Sequence, residues 1–201
     1  MSSQPLILAI GDSLVAGHGL APTESLPAQL ERRLRAGHPS ARVVNAGRSG
    51  DTTADVLRRL PPALSALGAR PDLAIVQVGP NDVLRQLPSA ATRANLDAIL
   101  VEIGRCGVPV LLTIVDPPPM LRDHARAYLG IHETLAARHG ARTCRFFPAG
   151  ILGHPTMVLA DRVHPNARAI GLVADAMAPV VGQALAAGYK GRMAAVPAAA
   201  G

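Results

Sequence analysis

Gly11-Asp12-Ser13-Leu14 follows directly on the apolar run Leu6-Ile7-Leu8-Ala9-Ile10. A buried strand that ends at a glycine and hands over to an Asp-Ser pair puts a hydroxyl at the carboxyl edge of a sheet, where open α/β sheets bind ligands. A serine there is either a helix cap or a nucleophile. Two further polar segments also follow apolar runs: Asn45-Ala46-Gly47-Arg48-Ser49-Gly50-Asp51-Thr52 and Gly79-Pro80-Asn81-Asp82. A fourth, Asp161-Arg162-Val163-His164-Pro165-Asn166, precedes a helical stretch. Taken singly, each is ordinary turn or capping chemistry. Taken together, they offer a hydroxyl, a glycine N–H, a side-chain amide and an acid–imidazole pair. Acyl transfer needs those types: a nucleophile, donors for the tetrahedral oxyanion, and a base held in one tautomer by a carboxylate. His164 has Asp161 three residues before it, whereas His154 has Ile151 and His38 has Arg35 at that offset. His164 is therefore the candidate base.

The elements that must position these groups alternate along the chain. Apolar runs predict strands at Leu6–Ile10, Arg42–Asn45, Leu73–Val78, Pro109–Ile114 and Thr143–Phe147. Helical patterns lie between them at Leu26–Ala36, Thr53–Leu67, Ala90–Cys106 and Asp123–His139, and a last helix covers Ala167–Ala186. Strands alternating with helices imply an α/β fold, a three-layer α/β/α sandwich around a five-stranded parallel sheet. The expected strand order is the flavodoxin-like 2-1-3-4-5, with right-handed crossovers. That order sets the ends of the first three strands side by side. One domain is expected over residues 1–187. Residues 188–201, rich in Ala with Gly191 and Pro197, read as a disordered tail.

Composition narrows the function. Of 201 residues, 49% are hydrophobic, which suits one globular domain and not a disordered chain. Aromatics are only 2%, so no Trp platform exists for stacking bases or sugars. The net charge is +6, but the arginines come as singles and pairs such as Arg32-Arg33 and Arg58-Arg59, the pattern of solvated helix faces. No nucleic-acid motif is present, and no nucleic-acid partner is expected. Cys106 and Cys144 lack metal-ligand spacing and read as small buried hydrophobes. No run approaches the ~18 apolar residues of a membrane span, and no integral membrane association is expected. No leader is visible, so the chain as given reads as cytoplasmic, or as periplasmic or secreted where a leader has been removed.

In order and spacing, the four segments resemble the blocks of the SGNH hydrolases, the GDSL lipase/esterase family. Ser13, Gly47, Asn81 and His164 match the four name-giving positions. Asn-Ala-x-x-Ser-Gly-Asp-Thr and Asp-x-x-His-Pro-Asn are most similar to the bacterial thioesterase I/lysophospholipase L1 and arylesterase group. The resemblance spans residues 6 to about 185. It implies a serine ester hydrolase acting on carboxylic esters or thioesters of small to medium acyl chains. In that scheme Ser13 is the nucleophile, His164 the base and Asp161 its orienting acid. The oxyanion hole is the Ser13 and Gly47 N–H groups with the Asn81 amide. No cofactor and no metal are implied, and the partner is a small-molecule acyl ester. Apolar loop residues, with so few aromatics, favour an acyl chain over a sugar, and Leu14, Val83, Leu84 and Pro117 are the expected substrate contacts. Pro80 and the run Asp116-Pro117-Pro118-Pro119-Met120 depart from the group and bear on chain-length preference. Two other readings compete: a carbohydrate or small-metabolite O-acetylesterase, and a non-catalytic binding domain of the same fold. A phosphate binder is disfavoured, because Asp12 stands beside Ser13 and no Gly-x-x-x-x-Gly-Lys motif is present.

Overall fold

Leu6 to Ile10 carries no polar side chain because both faces of its strand are covered. In the computed structural model, which describes residues 4–194, Ile7 and Ala9 point into one core and Leu8 and Ile10 into another. The first core packs α2 (Leu26–Leu34) and α8 (Ala167–Ala194) against the sheet through Leu26, Leu30, Ile170, Val173 and Met177. The second packs α3 (Thr53–Ser65), α5 (Ser89–Arg105) and α7 (Ile131–His139) through Val56, Leu60, Leu96, Ile99 and Leu135. A sheet with helices on both faces is the expected three-layer sandwich.

The strands are β1 (Leu6–Gly11), β2 (Arg42–Gly47), β3 (Leu73–Gln77), β4 (Val110–Ile114) and β5 (Arg142–Arg145). They form one five-stranded sheet, ordered β2-β1-β3-β4-β5, and every neighbouring pair is parallel. Register fixes what matters for chemistry. Gly11 is level with Gly47 on one side and with Gln77 on the other, so the carboxyl ends of β1, β2 and β3 finish together. Two short helices start from those ends: α1 (Ser13–Ala16) after β1 and α4 (Pro80–Leu84) after β3. Both are too short to show a periodic pattern, which is why the sequence alone does not resolve them.

Four expectations are corrected. The helix expected over Asp123–His139 is broken into α6 (Arg122–Ala125), a 3₁₀ turn at Arg126–Tyr128, and α7. The break lies at extended Leu129 and at Gly130, whose φ of +76° leaves the right-handed helix. Cys106 is exposed, not buried, because it caps the end of α5 before the left-handed Gly107. α8 continues to Ala194, so residues 188–194 are helical, while residues 195–201 lie outside the described residues. Over Ala167–Gly188 α8 is also long and apolar enough to cross a membrane by length and composition. Its apolar face is instead used against the sheet, where Ala169, Ile170, Val173, Ala174, Met177 and Val181 are all buried.

Candidate active site

The turn after β1 is shaped by close approach. A Cβ on Gly11 would lie 2.1 Å from the Gln77 carbonyl oxygen, so only glycine lets β1 end there. Asp12 then caps α1, its Oδ1 accepting the Leu14 N–H at 2.9 Å. Ser13 is the first residue of that helix, and its own N–H therefore has no intrahelical acceptor. Asp12 is 1% exposed, and burial pushes its carboxyl up to about 6 against the pull of the Leu14 N–H and the Gln77 amide.

His164 reaches Ser13 from 151 residues away, with Nε2 at 3.1 Å from Oγ. Its Nδ1 lies 2.7 Å from Asp161 Oδ2. The other oxygen of Asp161 accepts the N–H groups of Val163 at 2.9 Å and His164 at 3.0 Å, a tight turn that fixes the imidazole relative to its acid. The Val163 N–H, the His164 side chain and the His164 N–H hold the Asp161 carboxyl far below the ordinary carboxylate range, so it stays ionised. Arg162, at φ +58°, closes the turn. Asn166 anchors the segment at both sides: its Nδ2 donates to the Thr156 carbonyl and its Oδ1 accepts the Ala169 N–H in the first turn of α8. Ser13, His164 and Asp161 are thus brought together as one hydrogen-bonded chain.

Gly47 closes β2 against α1. A Cβ there would stand 2.2 Å from the Ala16 nitrogen, so the residue type is set by backbone contact. Its N–H donates to Asn45 Oδ1 at 2.9 Å, while Asn45 Nδ2 donates to the Ala16 carbonyl at 3.2 Å. The Gly47 donor is therefore engaged by a neighbouring side chain, and to receive an oxyanion it must share or release the Asn45 oxygen. Asn81 is the second residue of α4, and its Nδ2 donates to the Asp51 carbonyl at 3.0 Å. That amide carries a second proton.

The loop that carries Asn81 is held from below. Gly79 has φ +123°, and the His132 ring is 3.0 Å from where its Cβ would be. Burial depresses the basicity of His132, so it is a neutral ring whose Nε2–H donates to the Val78 carbonyl at 2.9 Å. Buried Asp82 accepts the Thr53 N–H at 2.9 Å, the Thr53 hydroxyl at 2.5 Å and the Thr92 hydroxyl at 3.1 Å, tying α4 to α3 and α5. Arg59, which reads in sequence as a solvated helix residue, is a clamp. Its guanidinium pairs with Asp51 and donates to the Ala46 carbonyl at 2.5 Å and the Gly11 carbonyl at 2.7 Å. One side chain thereby fastens the ends of β1 and β2. The sequence signal is weak: an arginine seven residues into a helix whose start follows Asp51.

The expected substrate contacts occupy different settings. Leu14 is buried beside Ser13, in a crevice with Gly17, His18, Leu20 and Pro165 too narrow for a water molecule. Val83 and Pro117 are half-buried, whereas Leu84 is 55% exposed. Met120 and Val163, at the same sheet edge, are also exposed. These apolar side chains are thus open to solvent. His18 carries no sequence signal for the site, yet its ring centroid lies 4.2 Å from that of His164, and its Nδ1 is 3.2 Å from Ser49 Oγ.

Residues 9–169 match the GDSL-like lipase/acylhydrolase family. The chain is 34% identical over 160 residues to the esterase TesA of Pseudomonas aeruginosa, covering 79% of each chain. It is 32% identical over 173 residues to the thioesterase 1/protease 1/lysophospholipase L1 of Escherichia coli, covering 86% of this chain and 81% of that one. Among solved structures, AlinE4, an SGNH-hydrolase family esterase, superposes with a TM-score of 0.74 at 41% identity, covering 92% of this chain and 98% of AlinE4. With its four blocks meeting at one sheet edge and a family match over most of its length, this chain belongs to the GDSL-like lipase/acylhydrolase family.

Proposed function

We propose that this chain hydrolyses carboxylic esters and thioesters of small to medium acyl chains through an acyl-enzyme on Ser13. The observation that carries this reading is the unbroken chain Asp161–His164–Ser13, with contacts of 2.7 and 3.1 Å. Neutral His164 carries its proton on Nδ1, facing Asp161, and offers the Nε2 lone pair to the Ser13 hydroxyl. As Oγ bonds to the substrate carbonyl carbon, its proton passes to Nε2 and the carbonyl oxygen becomes an oxyanion. The Ser13 N–H and the second proton of the Asn81 amide are the donors aimed at that charge, joined by the Gly47 N–H when Asn45 shares it. Collapse of the intermediate returns the Nε2 proton to the leaving alcohol or thiol. Water repeats the cycle on the acyl-enzyme and frees the acid. Asp161, kept ionised, stabilises the imidazolium that forms at each half. Neither a metal nor a cofactor enters this scheme.

The exposed Leu84, Met120 and Val163 support an acyl chain as the recognised group. The test is hydrolysis of p-nitrophenyl esters from C2 to C12 and of a matching acyl-CoA series, with Ser13→Ala as control. Activity lost in Ser13→Ala with an optimum beyond C2 is the expected result. An optimum confined to acetyl would transfer the reading to an O-acetylesterase. A folded protein with no ester turnover and no labelling by a fluorophosphonate would overturn it in favour of a binding domain.

A further inference from the structure

His18 has no part in the scheme above, yet it sits against it. It leaves α1 just after the left-handed Gly17, and its ring lies against that of His164, the two planes tilted by 36°. One ligand atom each from His18, Asp161 and His164 lie within 4.8 Å of one another. Two imidazoles and one carboxylate are the donor set of open zinc sites, with metal–ligand bonds of about 2.0–2.2 Å. Donors around one tetrahedral ion lie roughly 3.3–3.6 Å apart, by the same bond lengths. Closing the cluster therefore takes a movement of about an ångström. His18 and Asp161 are both exposed, and the bond His18 makes to Ser49 is exposed too, whereas Asp161 is held by the Val163 and His164 N–H groups, so His18 is the side chain best able to make that movement.

We propose that His18, Asp161 and His164 form a site for a borderline divalent transition metal such as Zn²⁺, and that its occupancy switches the esterase off. The inhibitory half rests on the reading of Ser13–His164–Asp161 as the catalytic chain. The chemistry leaves one outcome by either route. A metal on His164 Nε2 takes the lone pair that would receive the Ser13 proton and displaces the hydroxyl. A metal on Nδ1 displaces that nitrogen's proton, which the imidazole then carries on Nε2, facing Ser13 with no lone pair to offer. No bond to substrate and no redox change is involved. The ion enters from the solvent side, where water fills its remaining position.

The test is a zinc titration of the chelator-washed native protein against a chromogenic zinc indicator, run in parallel with p-nitrophenyl butyrate hydrolysis at buffered free zinc. One equivalent should bind, and half-inhibition should fall at the same free zinc that half-fills the site. His18→Phe and the smaller His18→Asn should both weaken binding by at least about tenfold, since even an outer partner of a metal ligand is worth about 10–100-fold. The weakening should shift inhibition equally. His154→Gln, at an exposed histidine in the preceding loop, should leave both curves in place. Native-like binding and inhibition in the two folded His18 variants would overturn the proposal, as would the lack of a tight equivalent in the native protein. The indicator titration reads the site without any turnover, so a failure of the esterase reading would show separately, as absent hydrolysis in the zinc-free native protein.

Discussion

Replacing Asp12 by Asn should stabilise the protein at neutral pH, although it removes a charge next to the nucleophile. Asp12 is 1% exposed, and burial raises its carboxyl from 3.8 to about 6. At about 1.4 kcal/mol per pH unit, that rise corresponds to roughly 3 kcal/mol. Between the two values the folded chain holds a proton that the unfolded chain has released. Stability from this group therefore falls as pH climbs from about 4 to about 6 and stays reduced above. The substituted side chain keeps a carbonyl oxygen for the Leu14 N–H, and its amide can donate to Gln77 Oε1 once the Gln77 amide turns over. That oxygen is buried without a hydrogen-bond partner among the described residues. The variant should thus equal the native protein near pH 4 and exceed it by about 3 kcal/mol at pH 7.5, which for a chain of this length is about 6–12 °C in Tm. Urea unfolding at several pH values, taken as the difference between the two proteins, cancels the other titrating groups. A difference that is constant with pH, or a variant less stable at pH 7.5, would refute the argument that desolvation dominates at Asp12.

Asn81→Ala should lower kcat by ~10²–10³ with the fold intact by circular dichroism, the loss typical of one oxyanion donor. Gly47→Ala forces a methyl to 2.2 Å from the Ala16 nitrogen, and thermal unfolding should show a loss of about 1–3 kcal/mol or more, the range for overpacking. Arg59→Met leaves the buried Asp51 carboxylate without its ion-pair partner and takes one donor each from the Ala46 and Gly11 carbonyls. Removing one half of a buried pair costs about 3–5 kcal/mol, and chemical denaturation should register it. Because Arg59 acts on the loops and not on substrate, kcat of the variant should also fall, and Arg59→Lys should restore only part of both, since a single ammonium nitrogen lacks the planar spread by which three guanidinium nitrogens reach three acceptors.

Much of this fold is written in local pattern. Runs such as Leu6–Ile10 and Leu73–Val76 are continuously apolar because these central parallel strands are covered on both faces. Three of the four polar segments are visible for a related reason: a parallel sheet collects its strand ends at one edge, so chemistry there follows an apolar run. The Asp161–His164 pair is legible because its geometry is local, set by a turn of four residues. What the sequence could not reveal depends on register and on packing between distant segments. Gly11 is required because β3 sets the Gln77 carbonyl against it, and Gly47 because α1 lies against the end of β2, contacts fixed only when the sheet forms. Arg59 looks like a solvated residue because its partners, Asp51 apart, lie 13 and 48 residues away. Asn45 reads as part of a motif, but only the folded turn puts its oxygen on the Gly47 N–H. His18 meets His164 because a loop before α8 folds back over α1. A residue's own periodicity reports which face of its element is buried. Which other element covers that face is decided by the packing of the whole chain.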